Sequence, residues 1–164
     1  MLIINGWTVY AHPLFLNQLD RLTAAVEVLK EKRPDDYQGH ANTKLLAMLS
    51  KLVFETVPAD PTAKAYRQGS TLGDSYKHWF RAKFGKGRFR LFFRYNFAAK
   101  VIIFAWVNDE NSLRTYGAKT DAYRVFRGML EDGNPPDDWA ALLKSASDPS
   151  VVERLGLAAP DRSA

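Results

Sequence analysis

The sequence predicts an α+β fold in which helices pack on an antiparallel β-sheet. Three observations lead there. Apolar residues recur at helical spacing twice in the first third of the chain, the period drops to two between Lys77 and Asn108, and helical spacing returns after Asp121. A chain of 164 residues with 46% apolar content has material for one core and too little for two. Residues 1–158 are therefore expected to form a single domain, and residues 159–164 a disordered tail.

The first element, "LIINGWTVY", has β-type composition and a turn-prone Asn5-Gly6 pair that would bend or bulge the strand. Phe15, Leu19, Leu22, Val26 and Leu29 then line one helical face, which ends near Arg33-Pro34. After the turn "RPDDY", residues Ala41, Leu45, Met48, Leu49, Leu52 and Val53 repeat that spacing until Pro58, completing an N-terminal αα-hairpin. Residues 59–74 carry Pro61, Gly69 and Gly73 without a clear period and read as loop. Between Lys77 and Tyr95 the chain alternates, with Trp79, Arg81, Lys83, Arg88, Arg90, Phe92 and Arg94 on one face of a hairpin and apolar residues on the other. "KVIIFAWVN" is apolar on both sides, as a central strand covered on both faces would be. Thr120 or Asp121 can cap a helix that turns Tyr123, Phe126, Met129 and Leu130 inward and stops at Gly133. "NPPDDWAALLKSA" predicts a further helix with proline in its first turn.

Composition narrows the function classes. Net charge is +5, which favours a polyanionic partner. The absence of cysteine excludes a disulfide framework and a thiolate zinc site. No apolar run reaches the roughly 20 residues a membrane span needs, and the N-terminus lacks the pattern of a signal peptide, so a soluble, cytoplasmic protein without membrane association is expected.

The basic hairpin is the informative feature. A two-residue turn at Gly85-Lys86 would set Lys83 opposite Arg88 and Arg81 opposite Arg90. A three-residue loop pairing Phe84 with Arg88 would instead put charges on the core side. Like charges across strands cost up to about 1 kcal/mol per pair. No acidic residue lies between Asp74 and Asp109 to offset them. The anion must come from elsewhere. Edge protection alone would need one or two cations, whereas Lys77, Arg81, Lys83, Lys86, Arg88, Arg90, Arg94 and Lys100 all fall in this region. Trp79 and Phe92 share the arginine face and could stack on bases, although packing beneath a helix is the simpler expectation.

Arginine forks match phosphate and can stabilise the charge that builds on phosphorus oxygens during cleavage. RNA supplies its own nucleophile, the 2′-hydroxyl, so a protein need add only proton transfer and charge stabilisation, without a metal. The loop after the third strand offers Arg114, Tyr116 and Lys119. Neighbouring cations would favour the phenolate form of Tyr116 and suit it to proton transfer; a hydrogen-bonding loop tyrosine explains the spacing equally well. Nothing local brings His12, His40 and His78 together as a catalytic pair, and Asp109-Glu110 is a weak metal signal. A second reading, a non-catalytic nucleic-acid-binding module, uses the same cationic face for association alone.

The stretches "NGWTVYAHPLF", "TKLLAML", "WFRAKFGKGRFRLFFRY" and "WVNDENSLRTYGAKTDAYRVFRGML" occur in an order that resembles the YhaV toxin family of bacterial type II toxin-antitoxin systems, a branch of the RelE/ParE-like group. The resemblance runs from about Asn5 to Trp139. It implies a RelE-like fold and an endoribonuclease that acts on RNA, free or on the ribosome, and inhibits translation without a cofactor. It also implies a cognate PrlF-like antitoxin with an AbrB-type DNA-binding domain, through which alone operator DNA is reached. ParE-like relatives share the fold and poison gyrase, so that activity is the alternative. By the resemblance, Arg81, Lys83 and Arg90 occupy the hairpin positions that do the work in RelE-like nucleases. Arg90 and Arg114 are then expected to stabilise charge and Tyr116 to transfer the proton. Arg81, Lys83, Arg88, Arg94 and Lys119 would hold RNA, and Lys119 and His78 stand in reserve for the proton transfer.

Overall fold

A computed structural model describes residues 1–109, 112, 118 and 120–160. Its first element is a hairpin rather than one bent strand. Asn5 and Gly6 both adopt positive φ (52° and 81°), the backbone of a two-residue turn that matches strand twist, and so β1 (Leu2–Ile4) folds back on β2 (Trp7–Ala11). His12 then caps α1 (Pro13–Lys32), whose Phe15, Leu16, Leu19 and Val26 are buried. The second helix, α2 (Ala41–Lys51), does not close at Pro58. It widens through a π-helical turn, Leu52–Thr56, in which the Val57 N–H reaches back to the Leu52 carbonyl, and ends as α3 (Val57–Ala59) with Pro58 inside it.

Three strands follow the irregular stretch: β3 (Phe80–Phe84), β4 (Phe89–Asn96) and β5 (Val101–Val107). The sheet order is β1-β2-β5-β4-β3, with β5 central as its two apolar faces require. The sheet is mixed, not wholly antiparallel. β2 runs parallel to β5 because the chain leaves β2 through the helices to the far edge, β3, and the two reversals β3-β4 and β4-β5 bring β5 back beside β2 in the same direction; the other three pairings are antiparallel.

Helices cover both faces. Val9, Ala82, Leu91, Phe93 and Phe104 form one core with α1, α2 and α6 (Pro149–Ala158). Trp79, Phe92, Ile103 and Ala105 form the other with α4 (Ala122–Glu131) and α5 (Trp139–Ala146). Asp121 caps α4 as expected. The α5 helix starts later than its prolines suggest, at Trp139, because the Asp138 carboxylate accepts the Ala141 N–H and so fixes the first turn there. Helix α6 is an additional element, opened by Asp148 and Pro149. Ala159 packs against the first core, and residues 161–164 lie outside the described residues.

Phe126 fastens α4 to the sheet. Its ring stacks 4.3 Å from Phe92 and 5.7 Å from Trp106, and Trp79 meets it edge-on at 5.0 Å. Trp79 and Phe92 are thus core residues. The middle of the hairpin's cationic face lies under a helix and away from water.

The hairpin register departs from the expected one. Phe84 pairs with Phe89 and Lys83 with Arg90, while Arg81 faces Phe92. A four-residue loop replaces the two-residue turn because Gly85, Lys86 and Gly87 all take positive φ (61°, 60° and 80°), one more left-handed residue than any two-residue turn contains. The slip is by two residues, so side-chain parity survives and Arg81, Lys83, Arg90 and Arg94 keep their common face, whereas Arg88 falls in the loop and lines the α2 side. One like-charge pair, Lys83 opposite Arg90, remains where two were expected.

Candidate active site

Parity places Arg81, Lys83, Arg90 and Arg94 on the α4 side of the sheet, and the helix divides them. Toward the hairpin tip, Tyr123 in the first turn of α4 presents its hydroxyl to two arginines. The Nε–H of Arg81 donates to it at 2.8 Å and the Nε–H of Arg90 at 3.2 Å. Arg81 Nη1 donates to the Ala65 carbonyl at 2.7 Å, and Arg90 Nη1 to the Gly87 carbonyl at 2.6 Å. Both side chains are buried, 9% and 6% exposed. They do not project into open water as a solvated face would. Yet no carboxylate among the described residues pairs with either guanidinium, and neither Nη2 has a described hydrogen-bond partner. Buried cations are normally paired, so two guanidinium forks without a carboxylate partner among the described residues make this cluster the candidate anion site.

The end of β5 fixes this cluster. A bulge at Phe92/Phe93 turns Ala105 and Trp106 to the same face, and Val107 returns to the other. The chain then presents Asn108, which is buried. Its Oδ1 accepts the Arg90 N–H at 2.5 Å, and its Nδ2 donates to the carbonyls of Arg88 and Ser112, both at 3.1 Å. One amide therefore ties the backbone of Arg88 and Arg90 to the segment that follows β5. Lys83 and Arg88 are exposed beside the buried pair, and the Arg88 guanidinium lies 5.5 Å from the Phe89 ring centre.

Arg94 belongs elsewhere. Four residues further along β4, its guanidinium sits between the rings of Trp79 (5.7 Å) and Trp139 (5.2 Å), and Nη1 donates to the Asp137 carbonyl. Burial holds it below the ordinary arginine value, opposed by Asp137 and Asp138. The Asp137 carboxylate accepts the Trp79 Nε1–H at 2.8 Å and lies 2.6 Å from His78 Nε2. His78 and Arg94 thus lock the approach to α5. Arg114, Tyr116 and Lys119 lie outside the described residues.

The other two histidines are helix caps. His12 Nδ1 accepts the Leu14 N–H and His40 Nδ1 accepts the Asn42 N–H. Burial lowers the His12 pKa from 6.5 to about 4. The unfolded chain then binds a proton that the folded chain refuses, so stability is full above the unfolded value and falls as pH drops from 6.5 toward 4. At 1.36 kcal/mol per pH unit the loss reaches at most about 3 kcal/mol. His12→Asn, which keeps a capping oxygen, should flatten that acid limb in urea melts between pH 7 and pH 4, and an unchanged limb would assign it to other groups.

Two buried arginines that share the Tyr123 hydroxyl, with Lys83 and Arg88 exposed nearby, define the cationic candidate site of an α+β protein. Residues 9–147 match the YhaV toxin family, described as toxins with endonuclease activity of a toxin-antitoxin system. The chain is 52% identical over 146 residues to the ribonuclease toxin YhaV of Escherichia coli K12, covering 88% of this chain and 95% of that protein. Toxin YhaV of Escherichia coli O157:H7 and that of strain O6:H1 match with the same identity and coverage. No solved structure matches significantly. The chain belongs to the YhaV toxin family.

Proposed function

We propose that this chain is the toxin of a type II toxin-antitoxin system, a single RelE-like domain over residues 1–158 that acts in the cytoplasm. It cuts RNA by directing the 2′-hydroxyl onto the adjacent phosphate, without a metal. The observation that carries this reading is the Arg81–Tyr123–Arg90 cluster, in which two forks are held at fixed angles while neither Nη2 has a partner among the described residues. An arrangement fixed before substrate arrives stabilises developing charge without reorganisation. In this reading Arg90 and Arg81 meet the oxygens of the scissile phosphate, while Lys83 and Arg88 hold the flanking backbone. Tyr116 moves the proton, supported by Arg114 and Lys119 from the same segment. Arg94 is assigned to anchoring α5 and not to RNA. A PrlF-like antitoxin with an AbrB-type domain is the partner, and operator DNA is contacted through it.

The test uses purified protein and single-stranded RNA in EDTA. Cleavage should persist and leave a 2′,3′-cyclic phosphate, and an RNA carrying 2′-deoxyribose at the cut site should resist. Loss of activity on chelation, or cleavage of the deoxy substrate, would overturn the mechanism.

A further inference from the structure

We infer that Asn108 and Gln18 are positioning residues for RNA cleavage, two side-chain amides that stand in for missing strand at the end of β5 and so hold the main chain from which the Arg90 fork projects. This rests on the nuclease reading above.

The sheet runs out here on both sides of β5. β2 stops at Ala11, opposite Phe104, so no strand faces Val107 from that side. Gln18 of α1 fills the place. Its Nε2 donates to the Val107 carbonyl at 2.7 Å and its Oε1 accepts the Val107 N–H at 3.1 Å, the two bonds a neighbouring strand would make. On the other side Leu91 pairs with Val107, which puts Arg90 opposite Asn108. The Asn108 N–H still reaches the Arg90 carbonyl, at 3.4 Å. In a continuing ladder the Asn108 carbonyl would make the return bond. Here the side-chain Oδ1 makes it, accepting the Arg90 N–H at 2.5 Å, and Nδ2 makes the next rung, to the Arg88 carbonyl at 3.1 Å. The chain can therefore leave the sheet at Asn108 without stranding these main-chain groups.

The two amides fix Arg90. Its guanidinium is held at the far end by the Tyr123 hydroxyl and the Gly87 carbonyl. Those bonds set a direction only if the main chain behind them stays still, and Gly87 belongs to a loop with three positive-φ residues. Asn108 holds that main chain at Arg88 and Arg90, and Gln18 holds Asn108 through Val107. Asn108 is 2% exposed and, among the described residues, bonds through its amide to main-chain groups alone. Gln18 comes from α1, which packs on the opposite face of the sheet from Tyr123. Both therefore act through Arg90 and not on RNA directly.

The experiment compares three variants of the full chain on single-stranded RNA. Asn108→Ala removes the amide at the ladder's end. Gln18→Met keeps side-chain length and helix propensity while removing both bonds to Val107. Leu155→Ala, in the first core under α6, is the control for lost stability alone. In protein shown to be folded, kcat should fall by about 100-fold for Asn108→Ala and about 10-fold for Gln18→Met, with KM and affinity for a 2′-deoxy RNA within about threefold of wild type. Leu155→Ala should keep the wild-type kcat. A kcat within about threefold in either folded amide variant, or an equal fall in Leu155→Ala, would reduce the amides to ordinary packing and overturn the inference while the nuclease reading stands. If Asn108→Ala does not fold, Gln18→Met decides by the same criteria. Wild-type protein that cuts no RNA would overturn the nuclease reading and this inference together.

Discussion

Arg90→Lys should lower RNA cleavage by about 100- to 1000-fold while the protein stays folded, the size of effect expected when one preorganised donor to a charged transition state is lost. Lysine keeps the positive charge, so a role in attracting RNA would survive. What it cannot keep is the fork. Arg90 uses Nε on the Tyr123 hydroxyl and Nη1 on the Gly87 carbonyl, and these two bonds fix the direction of the remaining nitrogen. A single ammonium can replace one of those bonds but not the fixed angle. The loss should therefore appear in kcat with KM little altered, because ground-state attraction to phosphate persists. Far-UV circular dichroism and a urea melt separate this from unfolding. Cleavage within threefold of wild type in a folded variant would remove Arg90 from the reacting phosphate.

Side-chain parity in the hairpin was legible from the sequence because it depends only on alternation, and alternation is local. The register was not. It hangs on Lys86, a non-glycine residue at φ 60° between two glycines, and a lysine carries no signal that it will adopt that conformation. The parallel pairing of β2 with β5 was equally hidden, since a strand's composition does not name its neighbour. Helix α6 is a different case. "DPS" at residues 148–150 holds both a capping aspartate and a proline in the first helical position, a local signal that the sequence does carry.

The site was half legible for a related reason. Arg81, Lys83, Arg88 and Arg90 could be found because they break the apolar pattern of a buried ribbon. That two of them are themselves buried follows from where α4 lands, which is a tertiary fact. Tyr123 had a usable cue. It is the only hydroxyl among the inward residues Tyr123, Phe126, Met129 and Leu130, and a buried phenol needs a partner for its oxygen. The strand face opposite held only aromatics and cations. Asn108 gave no cue, since an asparagine after a strand ordinarily marks a turn.

Tyr123→Phe removes one atom and should disturb both arginines at once. The ring would stay against Phe92, which it now meets edge-on at 5.6 Å, so no cavity forms. The two Nε–H donors lose their shared acceptor. Each buried donor left unsatisfied costs about 1–3 kcal/mol, so folding stability should fall by about 2–6 kcal/mol in urea melts. Activity should fall by about 10- to 100-fold, carried by kcat, because the forks can then rotate out of alignment with the phosphate. A purely structural hydroxyl would give the stability loss alone, leaving kcat intact in protein shown to be folded. A double-mutant cycle decides whether the oxygen acts through the arginines. With Arg81→Lys in the background, Tyr123→Phe should cost far less than it does in wild type, with a coupling of at least about 1 kcal/mol in kcat/KM. Additive losses would mean that the phenol and the guanidinium work independently, and the shared hydrogen bond would not be what orients the site.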